Sequence, residues 1–278
     1  MGMNAGRRLE LPQREVRMAF GTRTVAGADA FAVDGSRTGV LVLHGFTGSP
    51  VSVRDWADDF AAAGFTVRLP LLPGHGTRWQ DLNETRWPDW YSAAEAAFDE
   101  LRSRCDEVFV CGLSMGGTLA LRLGGLRPGE VAGIIVVNAS LDTADRRAFL
   151  LPVVSRFVAS FPGVGDDINR IGVTENAYDR LPLRAAASLR QLWRQTRSTL
   201  GSITAPVLAF RSAVDRVVPA SSLALLRRGA GSTTVTERVL ENSFHVATLD
   251  EDAPAIFAES LAFVRRHSRT SHHAGVEG

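Results

Sequence analysis

The sequence predicts an α/β fold in which a mostly parallel central sheet is covered by helices on both faces. Short apolar runs without polar alternation, such as residues 39–43 and 131–137, are typical of strands buried on both faces. Stretches with apolar residues three and four positions apart follow these runs after short connections. Strands that alternate with helices in this way indicate parallel pairing through helical crossovers.

The individual elements follow one another in a regular order over the first half of the chain. Gly64 ends the first helix, and Pro88 lies near the start of the second. The predicted strands of this half are residues 15–20, 30–33, 39–43, 65–69, 108–111 and 131–137. The predicted helices are residues 52–63, 88–101 and 115–126. Near the end of the chain we expect strands at 206–210 and 233–240 and helices at 223–228 and 254–264.

The alternation stops between residues 138 and 205, where helix-like pieces occur without a clear strand. A structureless loop of this length inside a compact domain would be unusual, so we interpret the segment as an insertion. The prediction is one discontinuous core domain of residues 1–137 and 206–267 that carries a cap or lid insertion at 138–205. Residues 268–278 are polar and aperiodic, and we expect them to form a disordered tail.

Composition excludes several classes of function. The 278 residues include 31 Lys+Arg and 30 Asp+Glu, so there is no basic excess of the kind that nucleic-acid binding requires. The 2 cysteines cannot form a disulfide framework and lack the spacing of metal ligands. No apolar run approaches the roughly 18 residues of a membrane span, and the first residues do not resemble a secretory signal. The cytoplasm is therefore the expected compartment.

The candidate nucleophile is Ser114. The predicted strand at 108–111 runs into Gly112-Leu-Ser114-Met-Gly116, and a helix follows. Gly-x-Ser-x-Gly between a strand and a helix is typical of a sharp turn that exposes the serine hydroxyl, with glycines where side chains would clash. A glycine-rich turn that only packs a helix on a strand is the alternative interpretation.

A serine hydroxyl needs a base to take its proton and a carboxylate to orient that base. Among the 6 histidines, His245 lies in a loop between the last strand and the last helix, and we predict that it is the base. Asp215 follows the strand at 206–210 and completes the chain order Ser, Asp, His. Asp142, just after the strand at 131–137, is the alternative acid.

Acyl transfer also requires two backbone N–H groups that face the developing oxyanion. One donor is expected at Met115, the residue after the nucleophile. The other is expected in the loop after the strand at 39–43, and Phe46 is the candidate. The alternative for this loop is that His44-Gly45 forms only a tight turn.

Five motifs together resemble the α/β-hydrolase superfamily and, more closely, the bacterial monoacylglycerol lipase and small carboxylesterase family. They are His44-Gly-Phe-Thr-Gly-Ser49, Leu72-Pro-Gly-His-Gly76, Gly112-Leu-Ser-Met-Gly-Gly117, Asp215 with the nearby Val-Val-Pro219, and Ser243-Phe-His245. The resemblance spans residues 40–264. It implies an α/β-hydrolase fold with a small helical cap, Ser114, Asp215 and His245 as triad, and Phe46 and Met115 as oxyanion donors.

The resemblance also concerns the substrate. In monoacylglycerol lipases a cap glutamate recognises the glycerol hydroxyls, and Glu175 within residues 173–178 occupies the similar position. A solvated surface glutamate is the alternative. Residues 149–161 carry many large apolar side chains, which either pack on the sheet or line an acyl channel and contact lipid surfaces.

The sequence therefore predicts a monomeric serine ester hydrolase that releases a fatty acid from monoacylglycerols through an acyl-enzyme, with a lipid ester as its small-molecule partner. Neither a metal nor an organic cofactor is required. The nearest alternative is a broad carboxylesterase for short acyl esters, which would use the same residues with a different cap pocket. A non-catalytic ligand-binding protein on this fold is the alternative of a different class.

Overall fold

A computed structural model describes residues 24–163, 165–231 and 234–269 of the chain. Its strands are β1 (Phe31–Val33), β2 (Thr38–Leu43), β3 (Thr66–Leu69), β4 (Glu107–Leu113), β5 (Val131–Val137), β6 (Ser160–Pro162), β7 (Arg180–Pro182), β8 (Val207–Ser212) and β9 (Val235–Leu240). Its helices are α1 (Arg54–Ala62), α2 (Trp79–Glu84), α3 (Trp87–Arg104), α4 (Met115–Leu126), α5 (Leu151–Val154), α6 (Leu183–Arg197), α7 (Ser221–Gly229) and α8 (Ala253–His267). The predicted strand at 15–20 lies outside the described residues.

In the part of the chain that the structure describes, seven strands form one sheet in the order β1-β3-β2-β4-β5-β8-β9. The first strand pairs antiparallel with β3, and every other neighbouring pair in this sheet is parallel. Because parallel strands all end at the same edge, the loops after β2, β4, β5, β8 and β9 emerge together. The predicted mostly parallel sheet is confirmed, and the edge with these loops carries the candidate site.

Helices cover both faces of the sheet, as the apolar strand runs predict. Alternate side chains of β2 enter different cores: Val40 and Val42 pack with residues of α1 and α8, whereas Leu41 and Leu43 pack with residues of α3 and α4. A strand with two buried faces needs apolar residues at every position, which is why its sequence shows no alternation. Within the described residues, no helix is both long and apolar enough to cross a bilayer.

The segment between β5 and β8 lies outside the main sheet, although these two strands are direct neighbours in it. It contains α5, α6 and a separate antiparallel ribbon of β6 and β7. The interpretation of this segment as helix-like pieces without a clear strand therefore misses this ribbon. Three residues per strand are too few for a period of two to show in a sequence. The division of the chain into a core and a cap stays a prediction.

The end of α8 is attached to the start of β4. Ser268 is buried, and its hydroxyl donates a hydrogen bond to the carboxylate of Glu107. The backbone N–H of Arg269 donates to the same carboxylate over 3.0 Å. The first two residues of the predicted tail are thus hydrogen-bonded to the sheet, and residues 270–278 lie outside the described part of the chain.

Candidate active site

Ser114 lies on a sharp turn between β4 and α4. Its backbone angles of φ 54° and ψ −115° are unfavourable for a residue with a side chain and cost about 1–3 kcal/mol. A Cβ on Gly112 would lie 2.2 Å from the carbonyl carbon of Gly116, and a Cβ on Gly116 would lie 2.0 Å from the carbonyl oxygen of Leu43. Both glycines are therefore required sterically, and they let β4, α4 and β2 approach closely enough to form the turn.

The three side chains predicted as a triad lie in one hydrogen-bonded series. The hydroxyl of Ser114 lies 3.0 Å from Nε2 of His245, and Nδ1 of His245 lies 2.9 Å from Oδ2 of Asp215. The series is consistent when Nδ1 carries the proton that Asp215 accepts and Nε2 accepts the proton of the hydroxyl. Asp142, the alternative acid, instead accepts a hydrogen bond of 3.3 Å from the hydroxyl of Ser221.

The electrostatic surroundings favour an ionised Asp215 beside a basic His245. Burial raises the pKa of Asp215, but the hydrogen bond and charge of His245 outweigh it, and the backbone N–H groups of Val217 and Val218 assist at 2.8 Å each. The net pKa of Asp215 is below its ordinary value. Burial lowers the pKa of His245, but the hydrogen bond and charge of Asp215 and the charge of Glu175 raise it above 6.5.

The two predicted oxyanion donors belong to chain segments that lie next to Ser114. Met115 is the first residue of α4, where backbone N–H groups have no acceptor within the helix. The loop that carries Phe46 runs beside the serine, since a Cβ on Gly45 would lie 3.5 Å from the Cβ of Ser114. Among the described backbone hydrogen bonds between loops, turns and caps, none has the N–H of Phe46 as donor. Both N–H groups are thus available to a bound oxygen.

His44 holds the loop that follows β2. Its Nδ1 lies 3.0 Å from the carbonyl oxygen of Gly45, and its Nε2 accepts a hydrogen bond of 3.1 Å from the N–H of Leu72. Burial lowers the pKa of His44 to about 4, so the ring is neutral and can accept at one nitrogen while it donates at the other. The sequence shows only a histidine at a strand end, and its contact with residue 72 is 28 positions away.

Glu175 lies in the same cavity as Ser114. It is buried, its Oε2 would lie 3.1 Å from a Cβ on Gly48, and its N–H donates to Oδ1 of Asp166 over 2.7 Å. Burial raises the pKa of Glu175 to about 7, against the opposing influence of His245. The alternative of a solvated surface glutamate does not agree with this position.

The cavity at this site has a volume of about 620 Å³, within the usual range for sites that bind small molecules. Ser114, His245, Glu175 and Phe46 are among the residues that line it. Much of its wall comes from apolar residues of the segment between β5 and β8, namely Leu150, Leu151, Val154, Phe161, Leu181, Leu183, Ala186 and Leu189. The arrangement can hold an extended apolar group next to a serine hydroxyl and can offer a carboxylate to a polar group.

Asn138 is absent from the residues that the sequence predicts, yet it connects three parts of the site. It follows β5 in the left-handed conformation, with φ 47°. Its amide nitrogen donates to the carbonyl of His245 over 2.8 Å, and its amide oxygen accepts from the N–H of Ser212 over 2.8 Å. An asparagine directly after an apolar strand is the only signal in the sequence, because asparagine tolerates positive φ better than most residues.

Characterised proteins are similar to the chain over most of its length. The sequence profile of the family described as serine aminopeptidase, S33, matches residues 35–252. The chain is 39% identical to a thermostable monoacylglycerol lipase of Bacillus sp. (strain H-257), over 88% of this chain and 97% of that protein. It is 25% identical to a carboxylesterase of Bacillus subtilis (strain 168), over 85% of this chain and 96% of that protein.

Solved structures are also similar. One of the metagenome-derived lipolytic enzymes LipS and LipT matches with a TM-score of 0.85 and 41% identity, covering 88% of this chain and 100% of that one. A monoacylglycerol lipase of Paleococcus ferrophilus matches with a TM-score of 0.70 and 18% identity, covering 86% of this chain and 98% of that one. The second similarity concerns the fold alone.

Proposed function

The chain belongs to the family described as serine aminopeptidase, S33, and from that premise we propose that it is a serine hydrolase that releases fatty acids from monoacylglycerols. One observation carries this proposal. The hydrogen-bonded series of Ser114, His245 and Asp215 opens on a largely apolar cavity of about 620 Å³ that also contains a buried carboxylate. The family's relatives include a monoacylglycerol lipase and a carboxylesterase that match almost along their whole length.

In the first half of the reaction, His245 takes the proton of Ser114 as the serine oxygen attacks the ester carbonyl. The distance of 3.0 Å between the two groups already permits this transfer. The imidazolium that forms is stabilised by Asp215, whose other carboxylate oxygen is held by two backbone N–H groups. His245 then gives its proton to the leaving alcohol, and the acyl group stays on Ser114.

In the second half, a water molecule attacks the acyl-enzyme while His245 again acts as base. Negative charge develops on the former carbonyl oxygen in both halves. We expect the N–H groups of Phe46 and Met115 to donate to this oxygen, and removing one such donor in other enzymes costs about 3–4 kcal/mol. No group from outside the chain takes part apart from water.

Glu175 and the apolar wall would distinguish a monoacylglycerol from other esters. The apolar wall accepts the acyl chain, since its transfer from water is favoured by roughly 0.8 kcal/mol for each buried CH₂. An ionised Glu175 accepts hydrogen bonds from the free hydroxyls of a glycerol group, and such charge-assisted bonds are about twice as strong as neutral ones. A simple alkyl ester offers no hydroxyl to this carboxylate.

A broad carboxylesterase for short acyl esters is the second candidate. It is favoured by the carboxylesterase among the relatives, and it would use the same serine, histidine and aspartate. The two candidates differ in what they require of the cavity. A short simple ester leaves most of the 620 Å³ unused and offers no hydroxyl to Glu175.

Hydrolysis rates over a graded set of substrates test the proposed function. The set is 1- and 2-monoacylglycerols, di- and triacylglycerols, and methyl esters with acyl chains of increasing length, each measured with wild type and with Ser114→Ala. We expect monoacylglycerols to have the highest kcat/KM and Ser114→Ala to be inactive. Equal turnover by both proteins would contradict the serine mechanism. A preference for short simple esters would replace monoacylglycerols by the second candidate and leave the mechanism intact.

We also propose that the segment between β5 and β8 contacts lipid surfaces transiently. Phe149, Val153 and Phe157 are exposed there by 67%, 56% and 84%, and neighbouring residues of the segment line the cavity. Exposed apolar patches of this kind mark interaction sites. Replacing all three by serine should slow hydrolysis of monoacylglycerol in vesicles but not of a dissolved short ester. The control is Val239→Ser, at an exposed apolar position on β9. The contact would be contradicted if the triple variant hydrolysed vesicle substrate as fast as wild type. It would also be contradicted if the rates on both substrates fell by the same factor.

We also propose that the protein is a monomer and that it lies in the cytoplasm. A monomer is supported because one chain supplies the serine, histidine, aspartate and cavity wall. Light scattering during gel filtration should give the mass of one chain, and a dimer mass would contradict the monomer. The compartment rests on the sequence expectation, and fractionation of the source cells with an antibody to the chain tests it.

A further inference from the structure

Asp167 reaches from the segment between β5 and β8 to the loops that carry His245 and Asp215. Its side chain is only 6% exposed. Its Oδ2 accepts hydrogen bonds from the backbone N–H of His245 and from the backbone N–H of Arg216, each over 3.2 Å. Its Oδ1 accepts from Nη1 of Arg216 over 3.0 Å. One buried carboxylate therefore binds His245 itself and the residue directly after Asp215.

These contacts matter because His245 and Asp215 come from different loops. Asp215 follows β8 and His245 follows β9, so nothing in the local chain sets the distance of 2.9 Å between their side chains. Asp167 connects the two loops, because its carboxylate accepts a hydrogen bond from a backbone N–H group of each. A cation–π contact is a second connection between the loops, since the guanidinium of Arg216 lies 3.9 Å from the ring centroid of Phe244.

Further hydrogen bonds join the same stretch of the insertion to the loop of His245. The N–H of Val246 donates to the carbonyl of Asp167 over 3.1 Å. The carboxylate of Asp250 accepts from the N–H of Asn169 over 2.7 Å and from the N–H of Phe244 over 2.9 Å. These hydrogen bonds attach this part of the insertion to the loops at the catalytic edge of the sheet. They also fix the position of Asp167.

Charge gives Asp167 a second effect on His245. The ionisable groups that act on the imidazole are Asp215, Glu175 and Asp167, all of them acidic, and together they raise the pKa of His245 against the effect of burial. Arg216 forms an ion pair with Asp167 and offsets part of its charge, but the side chain of Arg216 is 59% exposed, so screening by solvent keeps this offset incomplete. The negative charge of Asp167 therefore favours the imidazolium that arises when Ser114 loses its proton.

We propose that Asp167 is a positioning residue of the reaction, which holds His245 and Asp215 in register through peptide N–H groups and stabilises the imidazolium through its charge. The inference rests on the proposed function, since it assigns to Asp167 a part in the same ester hydrolysis. Its effect does not depend on the alcohol group of the substrate, in contrast to that of Glu175. A residue that served only folding would change the amount of active protein and not the ionisation of His245.

The test compares Asp167→Asn with Asp179→Asn in the full chain. Asparagine keeps the size of aspartate, but its NH₂ group must face either the two backbone N–H groups or the guanidinium, so one contact becomes repulsive. Asp179 is an exposed aspartate of the same segment, and its variant removes an equal charge. Both variants are titrated with a fluorophosphonate that labels Ser114, and kcat and kcat/KM are then measured per active site as a function of pH.

We expect Asp167→Asn to lower kcat by roughly tenfold for a monoacylglycerol and for the methyl ester of the same acid, as the loss of one hydrogen bond to a charged group would. The acidic limb of kcat/KM should move to lower pH by roughly half a unit, because a negative charge near the imidazole is removed. Asp179→Asn should match wild type. Equal profiles for Asp167→Asn and wild type, or equal shifts in both variants, would overturn the inference.

A second variant covers the case in which Asp167→Asn does not fold. Arg216→Met keeps the backbone N–H that Asp167 binds but removes the neutralising guanidinium. The acidic limb should then move to higher pH, opposite to Asp167→Asn, and a limb that stays in place or moves to lower pH would overturn the inference. Failure of the proposed function looks different, since wild type itself would then hydrolyse no ester or would prefer short simple esters to monoacylglycerols.

Discussion

Replacing Glu175 by alanine should separate recognition of the glycerol group from hydrolysis of the ester. The carboxylate is buried in the cavity of Ser114, beside Gly48, and it does not belong to the series of Ser114, His245 and Asp215. A hydrogen bond to a charged group contributes about 1.5–3 kcal/mol, so losing one to a glycerol hydroxyl lowers kcat/KM by about 10- to 150-fold. A substrate without these hydroxyls should lose far less.

The assay is the ratio of kcat/KM for 1-monooleoylglycerol to that for methyl oleate. Both substrates place the same acyl chain in the apolar part of the cavity and use the same serine. Removing the charge of Glu175 also lowers the pKa of His245, since Glu175 is one of the groups that raise it. That effect is common to both substrates and cancels in the ratio, as does any loss of folded protein.

The pH dependence of this ratio is a second signature. The pKa of Glu175 is raised to about 7, so its carboxylate form increases as the pH rises through neutrality. Charge-assisted hydrogen bonds to the glycerol hydroxyls increase with it, and the ratio should rise with pH in wild type and stay level in Glu175→Gln. An unchanged ratio in Glu175→Ala, or the same pH profile in wild type and Glu175→Gln, would refute a role for Glu175 in recognising glycerol.

Three further predictions concern the serine, the turn and the stability of the protein. Ser114→Ala should lower kcat by at least about 10⁴-fold and leave the thermal midpoint unchanged, which rates per mole of folded protein and calorimetry check. Gly116→Ala should lower the free energy of unfolding by about 3 kcal/mol, because its Cβ would lie 2.0 Å from the carbonyl oxygen of Leu43. Gly201→Ala is the matched control, with its nearest contact at 3.7 Å, and equal midpoints for the two would contradict the steric reasoning. Glu175→Gln should raise the free energy of unfolding above pH 7 by up to about 3 kcal/mol, since folding raises the carboxyl pKa from 4.5 to about 7. A raised carboxyl pKa gives stability that is complete below pH 4.5 and is lost as the pH rises to 7, so urea unfolding of the two proteins should coincide at the acidic end.

The strands of the main sheet could be predicted because burial on both faces forces an unbroken apolar sequence. The prediction for residues 131–137 matches β5 at both ends, and that for residues 39–43 differs from β2 by one residue. The ribbon of β6 and β7 could not be predicted, since its pairing joins residues about 20 positions apart and each strand has 3 residues. Pairing between distant short segments leaves no periodic trace in the sequence.

The residues of the candidate site also differ in how far the sequence could predict them. Ser114 could be found because the turn that carries it admits only glycine at positions 112 and 116, and this steric demand is local in the chain. Glu175 could be indicated only by resemblance, because a single glutamate between β5 and β8 carries no local signal of burial. Asp167 could not be found at all, since its carboxylate binds residues 49 and 78 positions away.

The sequence by itself determined the class of fold and the chemical type of the site. Unbroken apolar strands require cover on both faces, and the order of Ser114, Asp215 and His245 along strand ends brings them to one edge of a parallel sheet. The tertiary structure alone decided the distances of 3.0 and 2.9 Å in that series, the burial that raises the pKa of Glu175, and the hold of Asp167 on two loops. Hydrogen-bond geometry and desolvation depend on atoms that are neighbours in space but distant in the chain, and they are set only when the chain has folded.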